Sequence, residues 1–270
     1  MLPLHQNRRA FTIGKVPGDF LDLPVRSRKP RTAGLTHVLD KGLPLDQVRG
    51  LLRVYTPYVD IWKFGWGTAY VDRGLDRKIS ALKAHDVACC LGGTLLEIAW
   101  SQGRAEECLA WAERSGFDAV EVSRGVAAMP LDAKRELIKG AAETFVVLAE
   151  TGIKDAQVVL STRQWRDEIA EDLAAGATWI ITEGRESGTV GIYDGSGAPK
   201  RDIIDAAVDA AGVGRVLFEA PRKDQQAWLI NRFGPQVKLA NIAPDEVLPL
   251  TTLRLGLRAD TATLSLGRPW

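Results

Sequence analysis

The chain has 270 residues, 46% of them hydrophobic, enough to bury a large core in one large α/β domain or two small ones. Its formal net charge of +1 excludes a global field that would attract nucleic acid or an anionic membrane surface. Three cysteines, two of them adjacent at Cys89 and Cys90, make neither a disulfide framework nor a zinc spacing, and no apolar run has signal-peptide or bilayer-spanning length, so the sequence predicts a soluble cytoplasmic protein.

Residues 1–33 read as an irregular N-terminal arm. Pro3, Pro17, Pro24 and Pro30 interrupt any period, and the basic run at 26–31 reads as a solvated or subunit-contact segment. An alternation then begins. Residues 34–42 form a strand ending in Asp40 and Lys41, and Pro44 opens a helix running to 56. A second strand at 58–64 leads through a Gly-Trp-Gly turn into a helix at 73–84. The apolar run 87–91 ends in Gly92-Gly93-Thr94, with a helix to 116 that breaks near Gly103. Strands at 119–122 and 145–150 follow, with helices at 131–143 and 164–175, and Lys154 in the turn between the strand at 145–150 and its helix. The apolar run 177–182 ends in the charged turn Glu183-Gly184-Arg185-Glu186-Ser187-Gly188, where glycines allow close backbone approach to a ligand. A helix at 201–211, a strand at 215–219, a helix at 223–233, a strand at 237–242 and a helix at 244–257 complete the pattern, leaving a short, poorly ordered tail at 262–270.

Eight short apolar strands, each followed by a helix, predict a parallel sheet covered by helices. Without a dinucleotide fingerprint after the first strand, the fold expected over 34–261 is a single-domain (β/α)8 TIM-type barrel.

Active sites of such barrels form where the strands end. Asp40, Lys41, Lys63, Glu121, Ser123 and Arg124 fall there in the first half of the chain. Glu150, Lys154, Glu183, Arg185, Ser187, Gly188, Glu219 and Asn241 fall there in the second. Burying so many charges at one mouth is costly unless they pair or meet a charged ligand. Lys41, Lys63, Lys154 and Arg185 suit phosphate and carboxylate groups, and Glu121, Glu150, Glu183 and Glu219 suit a hard divalent cation such as Mg²⁺. Any one of these carboxylates is equally an ion-pair member or a ligand. His37 and His85 read as structural, the tryptophans as core packing, and Gln225-Gln226 as an exposed helix face or a site element in equal measure.

The blocks GLTHVLDKGLP (34–44), DIWKFGWGTA (60–69), LGGTL (91–95), GFDAVEVSRG (116–125), EGRESG (183–188), FEAPRKDQQ (218–226), LANI (239–242) and LRLGLRADT (253–261) resemble the phosphosulfolactate synthases and their plant heat-stress-associated homologues. The resemblance implies a barrel enzyme, a carbon–sulfur lyase running in the synthetic direction, that adds sulfite to phosphoenolpyruvate with Mg²⁺ to give 2-phospho-3-sulfolactate. It also implies a homo-oligomer, a trimer in form. Lys154 matches a lysine the family places at the active site and is the expected proton donor. Lys63 and Arg185 are expected to bind the anionic groups, with Glu150, Glu183 and Glu219 in or near the metal shell.

Two positions depart from the family pattern. Arg124 stands where Glu-Ile-Ser-Asp-Gly carries an Asp, and Leu91 stands where a proline precedes the glycine pair. Either Arg124 alters how the nucleophile is held, implying another anionic nucleophile, or it faces away from the site. Two readings from other classes stand beside the synthase: a Schiff-base aldolase using Lys63 or Lys154, and a non-catalytic stress-related or interaction barrel.

Overall fold

In a computed structural model, which describes residues 20–153 and 160–266, the eight strands close into one parallel barrel in the order of the sequence. They are β1 (Thr36–Asp40), β2 (Ile61–Phe64), β3 (Ala88–Leu91), β4 (Ala119–Val122), β5 (Val146–Thr151), β6 (Trp179–Thr182), β7 (Val216–Glu219) and β8 (Lys238–Ile242). The helices are α1 (Leu45–Tyr55), α2 (Thr68–Val71), α3 (Leu75–Ala84), α4 (Gly93–Ser101), α5 (Ala105–Ser115), α6 (Leu131–Ala142), α7 (Thr162–Ala174), α8 (Arg201–Ala211), α9 (Lys223–Phe233) and α10 (Val247–Arg254). The short α2 was not expected, and the expected break near Gly103 separates α4 from α5. No described helix is long and apolar enough to cross a membrane.

Alternation along each strand divides the side chains between two cores. Val38, Trp62, Phe64, Cys89, Val120, Val147, Ile180 and Phe218 face outward into one large cluster under the helices. Ile61, Ala88, Cys90, Ala119, Leu148, Ile181, Leu217 and Ala240 face inward and fill the lower barrel. The small residues Ala88, Ala119 and Ala240 alternate with branched ones, so the interior is packed rather than open.

The described residues near both ends depart from expectation, and the rest of the expected arm and tail, 1–19 and 267–270, lies outside them. The basic run at 26–31 is not a solvated arm. Lys29 donates to the Thr56 and Val59 carbonyls at 3.2 and 2.6 Å, and buried Arg31 donates to Pro57 O at 2.6 Å and meets Asp60 at 3.4 Å. These cations close the N-terminal end of the barrel, where chain segments entering the strands leave carbonyls to satisfy. Buried Arg254 also donates to carbonyls there, those of Pro235 and Val237, both at 2.6 Å. At the other end, residues Ala259–Leu264 form a 3₁₀ turn, with Thr261 buried and donating to Leu253 O at 2.7 Å. Asp260 pairs there with Lys223 at 2.9 Å.

Candidate active site

At the C-terminal ends of the strands lies a cavity of about 170 Å³, and inward alternation decides which strand residues reach it. Leu39, Lys63, Glu121, Glu150, Glu183 and Glu219 continue the inward rows of β1, β2, β4, β5, β6 and β7 by one step beyond the apolar layer. Gly92, Gly93 and Thr94 from the start of α4, with Trp66, Val126, Arg185 and Glu186, complete the wall.

Asn241 enters by a different device. The β1–β8 register shifts between the pairs Thr36–Leu239 and Val38–Ile242, so β8 carries one extra residue, and Asn241 takes a left-handed φ of 55°. Such a bulge re-aims a side chain, and asparagine tolerates the conformation better than most residues. Asn241 thereby donates through Nδ2 to Glu219 Oε1.

The polar groups form a closed circuit. Lys63 Nζ lies 2.8 Å from Glu121 Oε1 and 3.8 Å from Glu219 Oε1. Glu219 accepts from the Asn241 side chain, the Asn241 backbone N–H points at His37 Nδ1 at 3.4 Å, and His37 Nε2 faces Glu121 at 3.6 Å. Burial and the Lys63 charge hold the His37 imidazole well below its usual pKa, so it is neutral. Burial alone would lower the pKa of Lys63, but Glu121, Glu219 and Glu150 outweigh it and keep the ammonium protonated. Burial, reinforced by Glu150 and Glu121 against the pull of Lys63, pushes the Glu219 carboxyl up to about 7.

Glu219 also shapes the charged turn after β6. Its Oε2 accepts from the backbone N–H groups of Gly184 and Arg185 at 2.7 and 3.0 Å, and Glu183 Oε1 accepts from Arg185 N at 2.7 Å. Arg185 is thus held at a left-handed φ of 55°, its side chain exposed at the rim. The glycines of this region approach protein rather than open space. A side chain at Gly188 (φ 65°) would strike the Gln225 amide, and one at Gly191 (φ 62°) would strike the Glu183 carbonyl. Gln225 is buried rather than on an exposed face, donating to Gly188 O at 2.8 Å and Gly197 O at 3.1 Å, and Gln226 is buried as well.

Several residues expected at the mouth lie elsewhere. Asp40 and Arg124 follow the outward rows of β1 and β4, after Val38 and Val122. Asp40 accepts from the N–H groups of Gly42 and Leu43 and from Trp62 Nε1, tying down the loop after β1. Arg124 makes a two-pronged bond to Glu168 of α7, at 3.1 Å from Nε and 2.6 Å from Nη2. Ser123 donates to buried Glu97, Lys41 is exposed with its Nζ 5.8 Å from the Trp66 ring centroid, and exposed Ser187 bonds Thr189 at 2.8 Å. Gly188 packs under Gln225 as described. Lys154 lies outside the described residues. Trp66, Val126 and Leu39 were not anticipated. For Leu39 the signal was present, since it shares the inward row of β1 with His37.

The mouth's donor set suits a hard cation. Glu150 and Glu183 carry oxygens into the cavity, and the buried Oδ1 of Asn241 has no hydrogen-bond partner. His37, Cys90 and Glu121 also bring ligand atoms within 4.8 Å of one another. That trio fits a cation less well, because Lys63 already occupies Glu121 and burial keeps the Cys90 thiol protonated.

Comparison with known proteins shows the family. Among solved structures the fold is shared with the YdjI aldolase from Escherichia coli K12, at 15% identity and a TM-score of 0.54 over 86% of this chain and 89% of that one. A 3-hexulose-6-phosphate synthase matches at 20% identity and 0.52 over 82% and 97%. Likeness at that level speaks for the barrel alone. The sequence relatives go further. The phosphosulfolactate synthase of Bacillus subtilis is 41% identical over 244 residues, covering 89% of this chain and 97% of its own. That of Methanocaldococcus jannaschii is 44% identical over 236 residues, covering 84% and 93%. The profile of the (2R)-phospho-3-sulfolactate synthase (ComA) family matches residues 24–260, a span holding every residue of the mouth. With a closed barrel and relatives of this identity along nearly its whole length, the chain belongs to the phosphosulfolactate synthase family of lyase-type enzymes.

Proposed function

We propose that the chain joins sulfite to phosphoenolpyruvate, forming the C–S bond of 2-phospho-3-sulfolactate with Mg²⁺ as cofactor. The observation that carries this reading is the family match spanning every residue of a mouth in which one protonated lysine and one rim arginine stand among four buried glutamates and the exposed Glu186. Sulfite sulfur attacks C3 of the enol phosphate, the π electrons move toward the carboxylate, and C2 then takes a proton. Sulfite thus adds across the double bond with no leaving group. Lys63, held protonated in a desolvated position, supplies positive charge where the carboxylate gains electron density. Arg185, at the rim on a turn fixed by Glu219 and Glu183, is placed to take a phosphate or carboxylate as the substrate enters. Glu150, Glu183 and Asn241 Oδ1 are the oxygen donors for the cation, which when bound would supply Lewis-acid stabilisation of the substrate's anionic end. Lys154 is our choice for the acid that protonates C2.

The other readings lose their footing on particular residues. Arg124 gave the reason to infer a different nucleophile, and it is turned away from the mouth into Glu168. A Schiff-base lysine must be readily deprotonated, whereas Lys63 is held charged by Glu121 and Glu219; Lys154, the other lysine of that reading, lies outside the described residues. The test is phosphoenolpyruvate consumption with Mg²⁺, with and without sulfite, and the product identified by mass. Sulfite-dependent phosphosulfolactate formation, lost in EDTA and restored by Mg²⁺, is the expected result. Phosphoenolpyruvate binding without that product would overturn the proposal.

A further inference from the structure

A second set of buried charges lies just outside the barrel wall, between α6, α7 and the ends of β4 and β5. Lys134 of α6 is fully buried and makes three bonds: to Glu168 Oε1 at 2.8 Å, to Asp172 Oδ2 at 2.6 Å, and to the backbone carbonyl of Glu150 at 2.8 Å. Arg124 completes the group through its two bonds to Glu168, so two cations face two carboxylates. The third bond of Lys134 is the informative one. The last β4–β5 pair is Val122–Ala149, so Glu150 lies one residue past the point where β4 supports its neighbour. On the other side, the N–H of Glu183 holds Thr151 O at 2.9 Å. Lys134 therefore substitutes for the missing strand at the residue whose side chain enters the mouth.

We propose that Lys134 is a positioning residue for the cation site: by gripping the Glu150 carbonyl it fixes the direction in which the Glu150 carboxylate enters the cavity. Glu168 and Asp172 hold the ammonium in place, and Arg124 balances their charge, which gives the departure from the family's Asp a structural role. An ammonium held by two carboxylates has limited freedom, so the carbonyl it binds is fixed with it. This inference rests on the reading of Glu150 as a cation donor.

The experiment is a calorimetric titration of Mn²⁺ into the full-length protein without substrate, beside a thermal melt of each variant. Lys134→Met with Asp172→Asn removes one charge of each sign and is expected to weaken Mn²⁺ binding roughly tenfold or more, the usual effect of losing a group that orients a metal ligand. Lys134→Gln, with an amide too short to reach the Glu150 carbonyl, serves if the double variant does not fold, and should show the same loss. Arg124→Leu leaves Lys134 on Glu168, Asp172 and Glu150. It is expected to lower Tm while keeping Mn²⁺ affinity within about twofold, which separates positioning from stability. Glu150→Gln reports on the underlying reading. If Glu150→Gln loses binding while both Lys134 variants bind as the parent does, the positioning role is overturned and the donor role stands. Parent-like binding by Glu150→Gln would overturn both. If Arg124→Leu weakens binding as far as the Lys134 variants do, the effect is general loosening, and the specific role of Lys134 is overturned.

Discussion

The protein holds two clusters of buried charge within a few residues of one another, and they are built on opposite rules. The cluster between α6, α7 and the barrel wall sets Arg124 and Lys134 against Glu168 and Asp172, two cations to two carboxylates in direct contact. The mouth, among the described residues, gathers Glu121, Glu150, Glu183 and Glu219 around the single buried cation Lys63, with Arg185 at the rim. The pKa shifts record the contrast. Glu168 is held below its usual range because Lys134 and Arg124 outweigh burial, although burial still raises its neighbour Asp172 against the pull of Lys134, while Glu219 is pushed up to about 7 by burial and its fellow glutamates. A balanced set offsets its own desolvation and serves structure. An unbalanced set is tolerable where a ligand completes it, so charge imbalance, rather than charge, marks the site.

That contrast breaks most sharply on a mouth variant. Glu183→Gln is expected to lower kcat/KM by about a hundred- to a thousandfold while Tm stays level or rises, because relieving crowded carboxylates favours the fold at the expense of function. A variant that keeps its activity and loses several degrees would show that the mouth is structural. Arg124→Asp works in the other direction. It places a third carboxylate beside Glu168, and unfolding titrations should show about 3 kcal/mol of lost stability with no change in the preference for sulfite.

A pH series sharpens the same point. A carboxyl raised to about 7 binds its proton more tightly in the folded state, so its contribution to stability is full below the ordinary glutamate range and is lost as pH rises toward 7. Urea midpoints of the parent should therefore fall relative to those of Glu219→Gln between about pH 4.5 and 7. Parallel curves would mean that Glu219 ionises normally and that the mouth is balanced after all. The smallest effect lies away from both clusters. Ser161 accepts from Gln164 N in a reciprocal cap at the start of α7, and Ser161→Ala should cost about 1 kcal/mol with kcat unchanged.

Much of the barrel was legible because it is written locally. Each strand is a short apolar run ended by polar or glycine residues, and the longer helices lie between them as amphipathic stretches, so a reading residue by residue finds both and misses only short turns such as α2. The mouth was only partly legible. Listing the polar residues at strand ends found Lys63, Glu121, Glu150, Glu183, Glu219 and Arg185, but it also swept in Asp40 and Arg124, which alternation turns outward. Applying the period of two from the apolar layer upward would have excluded both. Nothing in the local sequence shows that Gln225 of α9 reaches back to Gly188, or that Glu97 of α4 holds the N–H groups of Val126 and Ala127 at 2.7 and 2.8 Å.

The sequence by itself determined the number, order and direction of the strands, the main helices between them and the supply of charge at the strand ends, because propensity, period and turn chemistry act over a few neighbouring residues. Tertiary structure alone decided which charges meet. Lys63 finds Glu121 across 58 positions and Lys134 finds Asp172 across 38, partnerships set by barrel closure and helix packing. Even Asn241 owes its aim to a register shift between β1 and β8, more than two hundred positions apart, which no stretch of either strand announces.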